Sequence, residues 1–371
     1  MMIWVSALAL LLAPPPADPL AEASAHLDGG RYAEAIAILK DLAAKEPDDV
    51  VYQFNLALAY SLAGQDEAAV EGYRRTLKLK EDLYEARLNL GQMLLKTGKA
   101  EEAAEWLEKA AAQKPADAKP NYLRGRALAA MKRYAEAAAA LERALALDEK
   151  NESLPLEIAE LWEQAGQPAK AAEFYRRAEG NPAATERLGL ILLAQGDLDG
   201  AIERFEKLRA TSPTPAVLYA LATAYLRNKQ PEKSIPLAGE LVRIEPGRAD
   251  LRMFLGRLLR DQKRYADAAR EFHEAARLTP ASAEAWNELT GMLLLLERYD
   301  EALRTLEKAK ELGGETPAYY YFRATTLDAL KQAEPALASY ERFLAVSEGR
   351  FPDEEFKARQ RIRILKRVLN K

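Results

Sequence analysis

Small and large apolar residues recur along most of this chain with a period of 34 residues. The interval shortens to 30 residues after the unit that starts at 152 and to 33 residues after the next unit. A fixed period of this length predicts a tandem array of small helical units. The units start at residues 16, 50, 84, 118, 152, 182, 215, 249, 283 and 317.

Two positions of the unit carry small residues throughout the array. Position eight is Ala, Gly or Thr, and position twenty is Ala or Ser. Because two helices approach closely only where their side chains are small, these columns predict the crossing point of a helical hairpin. Position eight comprises Ala23, Ala57, Gly91, Gly125, Ala159, Gly189, Ala222, Gly256, Thr290 and Ala324, and position twenty comprises Ala35, Ala69, Ala103, Ala137, Ala171, Ala201, Ser234, Ala268, Ala302 and Ala336.

Larger apolar residues form one stripe on each helix. In the unit that starts at 249, Leu255 and Leu259 lie on the first helix and Phe272 lies on the second. Spacings of three and four residues place such side chains on a single helical face. One hairpin cannot bury both stripes alone, so neighbouring units are expected to stack.

The turn residues agree with the same frame. Position fifteen, where a helix end needs a residue that tolerates positive φ, is mostly Gly or Lys. Position thirty-two, just beyond the second helix, often carries a Pro, which cannot continue that helix. The residues are Gly30, Gly64, Gly98, Gly166, Gly196, Lys132, Lys229, Lys263 and Lys331 at position fifteen, and Pro47, Pro115, Pro213, Pro246 and Pro280 at position thirty-two.

With these residues in phase, the chain resembles the tetratricopeptide repeat proteins over residues 16–350. The resemblance implies an all-α fold, a right-handed α-solenoid superhelix of about ten helix-turn-helix units. It also implies that the first helices line a concave groove that receives peptides or partner proteins. The RNA-binding pentatricopeptide repeats have a neighbouring period, but the small columns and the acidic balance favour the tetratricopeptide interpretation.

The unit at 152–181 is four residues short, and Asn181-Pro182 leads directly into the next helix. The missing residues are expected after the second helix of the unit. One interpretation is a bend or a junction between two sub-arrays near 181–182, and the other is a tightened turn without consequence, because loops tolerate deletion.

The segment 351–371 departs from the repeat and predicts a basic amphipathic capping helix. Phe356, Ile362, Leu365 and Leu369 are expected on its apolar side. A solenoid needs such a cap over its last apolar face. The Lys and Arg residues of the segment leave contact with anionic lipid or nucleic acid as the alternative.

The segment 1–17 begins with an apolar run, Met1 to Ala13, that is too short for the roughly 20 residues of a membrane span. We expect a cleaved signal peptide and therefore export to the periplasm or the exterior, although no Lys or Arg precedes the run. The alternative is a cytoplasmic chain whose apolar tail packs on the first hairpin.

Composition excludes several classes of site. The chain has no Cys and only two His, so thiolate and His-rich metal sites are not expected. Its 53 basic and 57 acidic residues give a net charge of −4, which provides no basic field for nucleic acid. Glu157, Glu160 and Glu163 share a helix face but are interpreted as a solvated or ligand-facing patch rather than as a catalytic pair.

No phosphate loop, nucleophile elbow or metal-ligand spacing occurs in the sequence. We therefore expect no cofactor, no metal and no catalytic residues. A peptide or protein partner is expected to contact positions of the concave groove, where aromatic and Arg side chains anchor interfaces. The predicted partner-binding residues are Gln92, Lys119, Tyr122, Arg126, Tyr219, Arg227, Arg257, Arg260 and Tyr321.

Three of these, Arg227, Arg257 and Arg260, are expected to receive an acidic peptide or a terminal carboxylate. Some tetratricopeptide proteins clamp a terminal carboxylate with Lys, Asn and Arg. This chain has Phe54 and Leu58 at two of the clamp positions, so the clamp is not expected. Asn55 and Asn89, which do match it, are predicted to stabilise hairpins.

The sequence thus predicts a non-catalytic scaffold or adaptor that binds a peptide or partner protein. The alternative is the recognition subunit of an enzyme assembly whose activity lies in a partner chain. An enzyme in its own right, such as a glycosyltransferase with a repeat array, would need a catalytic domain outside the repeats. Oligomeric state and partner identity are left open.

Overall fold

The computed structural model describes residues 18–370, and the predicted signal segment 1–17 lies outside them. Within the described residues the chain forms 21 α-helices and no strands, which confirms the all-α prediction. Ten helices are the first members of hairpins: α1 (Pro19–Asp28), α3 (Val50–Leu62), α5 (Tyr84–Lys96), α7 (Ala118–Ala130), α9 (Leu154–Gln164), α11 (Pro182–Gln195), α13 (Pro215–Arg227), α15 (Ala249–Asp261), α17 (Ala283–Leu295) and α19 (Pro317–Ala329).

Each first helix is followed by a second helix after a short turn. For example, α4 also packs on α5 and α16 on α17, the first helices of the following hairpins, which buries the apolar stripes that a single hairpin leaves open. The second helices are α2 (Tyr32–Lys45), α4 (Asp66–Leu79), α6 (Ala100–Gln113), α8 (Tyr134–Leu147), α10 (Pro168–Arg177), α12 (Leu198–Thr211), α14 (Pro231–Ile244), α16 (Tyr265–Leu278), α18 (Tyr299–Gly313) and α20 (Ala333–Ser347), and α21 (Pro352–Leu369) follows the last hairpin.

The described chain divides into two compact units, residues 18–184 and residues 185–370. The division falls within α11, directly after the short hairpin of α9 and α10. Helix α10 has 10 residues, whereas α8 and α12 have 14 each. The missing four residues are therefore the last turn of the second helix, and the expectation that they are lost after that helix was wrong.

All twenty residues of the two small columns are buried. In the hairpin of α13 and α14 the columns touch directly, because Ser234 Oγ donates a hydrogen bond of 2.8 Å to the carbonyl oxygen of Ala222. In the next hairpin the ring of Phe272 lies so close to Gly256 that an added Cβ would stand 2.5 Å from a ring carbon. The small columns thus mark the helix crossing, as predicted.

The turns inside the hairpins have the backbone conformation that the sequence predicts. Gly64 and Gly98 have φ values of 71° and 77°, and the Lys residues at the same position adopt φ near 58°, for example Lys263 at 59°. The left-handed conformation costs a residue with a Cβ more than it costs Gly. The turn geometry is therefore imposed by the hairpin even where the residue type opposes it.

Helix α21 packs on α20 and closes the apolar face of the last hairpin. Its buried side comprises Ala358 and Leu365, with Ile362 partly buried beside them. Phe356 was predicted on this side but is 62% exposed, because it lies about 180° around the helix from Leu365 at 100° per residue. Its placement in the cap was wrong, whereas a capping helix is confirmed.

Candidate partner-binding surfaces

In the first compact unit, residues 18–184, the predicted residues Lys119, Tyr122 and Arg126 lie together on α7. Arg126 Nη1 donates a hydrogen bond of 3.0 Å to Tyr122 Oη, and Arg126 Nε lies 3.6 Å from a carboxylate oxygen of Glu157 on α9. A cavity of about 300 Å³ opens between Lys119, Tyr122 and Leu154. These contacts orient an aromatic ring and a cation toward solvent in one place.

The carboxyl groups of the acidic patch on α9 lie in different surroundings. Burial raises the pKa of the Glu157 carboxyl and the neighbouring Glu160 adds to this, while Arg126 acts in the opposite direction. Glu163 instead accepts a hydrogen bond of 2.7 Å from Tyr175 Oη. Within residues 18–370 no group of three or more His, Asp or Glu side chains is arranged to hold a metal ion.

The two asparagines at the clamp positions are engaged inside the array. Asn89 Nδ2 donates to Tyr73 Oη at 3.2 Å, and Asn55 Nδ2 donates to the carbonyl of Val51 at 2.8 Å. Asn55 therefore bonds within its own helix α3, and Asn89 links α5 to α4 of the preceding hairpin. Gln92, on α5, is half-buried and makes no side-chain hydrogen bond among the described residues, and nothing in the first unit links it to Arg126.

In the second compact unit, residues 185–370, an aromatic pair lies beside an ion-pair network. Both are carried by the first helices of three successive hairpins, α13, α15 and α17. The ring of Tyr219 packs on Phe254 with centroids 5.2 Å apart, yet Tyr219 remains 46% exposed. Phe254 sits one helical turn before Arg257 on α15. Phe254 was not among the predicted partner-binding residues, although it lies three residues before the predicted residue Arg257 on the same helix.

The two arginines of α15 are held by carboxylates of α17. Arg260 Nη1 donates to both carboxylate oxygens of Glu288, at 2.8 and 2.7 Å. Arg257 Nη2 donates to Glu284 at 2.5 Å, and its Nε lies 3.7 Å from Glu288. The hydrogen bond to Glu288 raises the pKa of Arg260 further. Both guanidinium groups are therefore fixed in position before any partner arrives.

The third arginine of the predicted cluster points elsewhere. Arg227 Nη1 donates a hydrogen bond of 2.6 Å to the carbonyl oxygen of Leu193 on α11, the preceding first helix. Arg257 and Arg260 are directed to α17, the following first helix. The structure thus brings together two of the three arginines.

A pocket of about 400 Å³ lies beside this network, between α17, α18 and α19. Its lining includes Gly291, Leu294 and the 44% exposed ring of Phe322. A Cβ at Gly291 would meet no atom within 4 Å. We define the second-unit surface as Tyr219, Phe254, Arg257, Arg260 and this pocket. The absence of a side chain at Gly291 is a signal that sequence inspection overlooked.

Tyr321, the last predicted residue, faces the cap rather than the pocket. Its ring packs on Phe343 with centroids 5.1 Å apart, and burial raises its pKa, with a further contribution from Glu354. A separate cleft of about 1030 Å³ lies between the second helices α16 and α18 and contains none of the predicted residues. Its floor includes Leu289 and Leu293, and Arg304 lies at its rim.

No helix among residues 18–370 has both the length and the apolar run that a membrane crossing requires. Family models described as tetratricopeptide repeats match residues 20–83 and 122–185 in one case and residues 192–258 and 259–325 in another. A model described as anaphase-promoting complex, cyclosome, subunit 3, matches residues 64–144.

Two curated relatives are similar over much of the array. The TPR repeat-containing protein YpiA of Bacillus subtilis is 24% identical over 225 residues, which are 57% of this chain and 53% of that protein. The DnaJ homolog subfamily C member 3 of Homo sapiens is 23% identical over 325 residues, 77% of this chain and 64% of that protein. The chain therefore spans between half and two thirds of the length of these relatives.

A solved structure described as Naa15/Naa10 bound to HypK-THB aligns with 88% of this chain and 63% of its own, at 12% identity and a TM-score of 0.56. This similarity supports the fold. The tetratricopeptide repeat models together cover more than half of the sequence. With ten helical hairpins whose crossing points are small throughout, the chain belongs to the tetratricopeptide repeat family.

Proposed function

We propose that this chain is a non-catalytic interaction protein that holds a peptide or partner protein on the second-unit surface. The observation that carries the proposal is that an exposed aromatic ring, Tyr219, and a positioned cation, Arg257, lie on first helices of the same compact unit as an unfilled pocket. Aromatic and Arg side chains carry most of the energy of protein interfaces, especially beside pockets that accept an anchor residue.

Helix α17 joins the parts of this surface. Glu284 and Glu288, which hold Arg257, lie on the same helical face as Gly291, three to seven residues further on. A partner segment that lies along α17 would meet the arginine first and the pocket about one turn later. The spacing suits a short segment with an acidic group followed by an apolar side chain.

Arg257 is the cation that a partner can engage. Its closest carboxylate belongs to Glu284, which is 67% exposed, and such surface ion pairs contribute only about 0–1 kcal/mol. A carboxylate of the partner can replace Glu284 at little cost. Arg260 makes a two-oxygen contact with Glu288, which is only 20% exposed, and so serves to position the surface.

The test is affinity capture with the purified full chain, followed by identification of the retained proteins. We compare the wild type with Arg257→Gln and with Gly291→Leu, which fills the pocket. Arg304→Gln is the matched control, because it removes an exposed cation from the cleft between α16 and α18. Arg257→Gln and Gly291→Leu are each expected to weaken retention of a specific protein about tenfold, without loss of thermal stability.

The outcomes separate the candidate surfaces. If only Arg304→Gln releases the partner, the partner occupies the other cleft and the assignment to the second-unit surface is wrong. If the wild type retains nothing, the scaffold proposal itself fails. The second candidate function, a recognition subunit, is favoured if the retained protein is an enzyme whose activity co-purifies with the chain.

A further inference from the structure

Helix α21 exposes a second face that its capping role does not use. Phe356 is 62% exposed, Ile364 45% and Val368 56%, and Phe356 is the most exposed large apolar side chain in residues 18–370. Terminal caps of repeat arrays normally present a polar outer face, because no further unit covers them. An apolar stripe on this face therefore indicates a surface that another element covers.

The charges of α21 are sorted between its two faces. Three of its cations are paired with carboxylates of the last hairpin or of α21 itself: Arg361 with Asp328, Lys366 with Glu341, and Arg359 with Glu355.

Three other cations, Lys357, Arg363 and Arg367, have no ion-pair partner among residues 18–370, and neither has Asp353 in the first turn. At 100° per residue these four lie in the same sector of the helix as Phe356, Ile364 and Val368. We call these seven residues, together with Gln360 between them, the outer face of α21.

The outer face is complementary to itself in the antiparallel orientation. Gln360 is its midpoint, with Asp353 seven residues before it and Arg367 seven residues after it. A spacing of seven residues is two helical turns, which keeps all three on one seam. When two such helices cross antiparallel at Gln360, Asp353 of each copy meets Arg367 of the other.

The same register pairs the apolar residues. Phe356 lies four residues before Gln360 and Ile364 four residues after it, so each Phe356 ring packs against Ile364 of the second copy. Arg363 then lies beside the Phe356 ring of the other copy, where a guanidinium is attracted to the ring face. One rotation axis brings Asp353 to Arg367 and Phe356 to Ile364, as a two-fold interface requires, whereas Lys357 of each copy lies level with the like-charged Arg363 of the other.

We propose that the outer face of α21 is a homodimer interface, in which α21 of one copy packs antiparallel on α21 of a second copy. An anionic bilayer would attract the three cations of this face but would press Asp353 against like charge, whereas a second copy provides Asp353 with Arg367. This interface is separate from the second-unit surface, so either assignment can fail without the other.

The contact is small. Helix α21 has 18 residues and is therefore about 27 Å long, and a strip about 10 Å wide lies below the buried area of about 1,200 Å² that stable specific complexes need. We expect a weak dimer whose population rises with protein concentration. Its specificity comes from the charge pattern, which wrong registers would oppose.

The test is sedimentation velocity of the full chain over a wide range of concentrations. Asp353→Arg and Arg367→Asp each place like charges opposite each other twice per dimer, and each is expected to raise the dimer Kd about tenfold or more. The double variant Asp353→Arg/Arg367→Asp restores both pairs with the signs exchanged and is expected to recover the wild-type Kd. Phe356→Asp is expected to leave a monomer.

The control is Ile244→Asp, because Ile244 is 49% exposed on α14 and lies outside the outer face. It should leave the dimer unchanged. All substituted residues are exposed, and equal circular dichroism melting curves establish that the variants are folded.

The proposal is overturned by a chain that stays monomeric at every concentration, by dimers that survive all the α21 variants, or by failure of the double variant to recover. A further experiment measures binding of the chain to phosphatidylglycerol vesicles by sedimentation. Binding to these vesicles that requires Phe356, in a chain that does not dimerise, would assign the outer face to membrane instead.

Discussion

At the scale of single residues, the hairpin crossing depends on whether a Cβ has room. Gly256 has none, because Phe272 occupies the space that its side chain would need. Gly239, in the middle of α14, has open space within 4 Å of the same position. Neither glycine has a positive φ, so the two differ in packing and share the same intrinsic helix propensity.

Replacing Gly by Ala is therefore expected to change the free energy of unfolding in opposite directions at these two positions. Gly256→Ala should lower the free energy of unfolding by about 1–3 kcal/mol through overpacking. Gly239→Ala should raise it by about 0.5–1 kcal/mol, because Ala loses less backbone entropy in a helix. Thermal unfolding of both variants beside the wild type checks this. A stabilised Gly256→Ala protein would show that Phe272 moves aside freely.

The binding residues also show the limits of prediction at this scale. The resemblance to tetratricopeptide repeat proteins predicted Arg227, Arg257 and Arg260 in a groove, and all three are at least partly exposed. Their hydrogen-bond partners on other helices lie 27 to 34 residues away in sequence. Which carboxylate or carbonyl they reach depends on the packing of adjacent helices, and the pattern does not contain that information.

At the scale of elements, each hairpin turn has the same left-handed residue after its first helix. Lys263 adopts φ of 59° there and Gly98 adopts φ of 77°. A Cβ at Gly98 would meet no atom within 4 Å, so its only cost is the backbone conformation. Substitutions at this turn position therefore measure the cost of the left-handed backbone conformation without a steric contribution.

Lys263→Gly is expected to raise the free energy of unfolding by about 0.5–1 kcal/mol, because it relieves the left-handed conformation of a residue with a Cβ. Gly98→Lys is expected to lower it by a similar amount. Urea denaturation of the two variants measures both changes. Equal stabilities would mean that the turn adopts another conformation in solution.

The cap has its own anchor in Glu355, which is 4% exposed. Ser347 donates a hydrogen bond of 2.7 Å to its carboxylate, and this bond, with backbone N–H groups and Arg359, holds the pKa of Glu355 below its ordinary value of 4.5. A carboxyl whose pKa is lower when folded stabilises the folded state above its unfolded pKa. That contribution disappears as the pH falls through the folded pKa.

Glu355→Gln is accordingly expected to destabilise α21 at pH 7 and to have little effect at an acid pH below the folded pKa, where the wild-type carboxyl is itself protonated. Hydrogen exchange of the amides in α20 and α21 at the two pH values reports this locally. Glu341→Gln is the control, because Glu341 is 48% exposed in its contact with Lys366. A pH-independent difference would point to lost hydrogen-bond geometry rather than charge.

At the scale of the whole molecule, the chain reaches 371 residues without a single large core. Inside each compact unit the hairpins pack on one another, so the buried residues form a series of small layers. The size limit of about 250–300 residues for a single hydrophobic core does not apply to a repeat array, because each repeat contacts only its neighbours. Any hairpin can then carry a surface for a partner. The apolar face of the last hairpin is covered by a separate helix, α21.

The sequence by itself determined the repeat, the two helices of each unit, their crossing points and their turns. Each of these depends on residues within one 34-residue unit, where helical period, small side chains and left-handed turn positions are all visible. Only the tertiary structure decided that Arg257 and Arg260 share carboxylates on α17 while Arg227 turns back to α11, and that Phe356 faces outward. These features depend on how neighbouring helices rotate and slide against each other, and side chains from separate units fix that together.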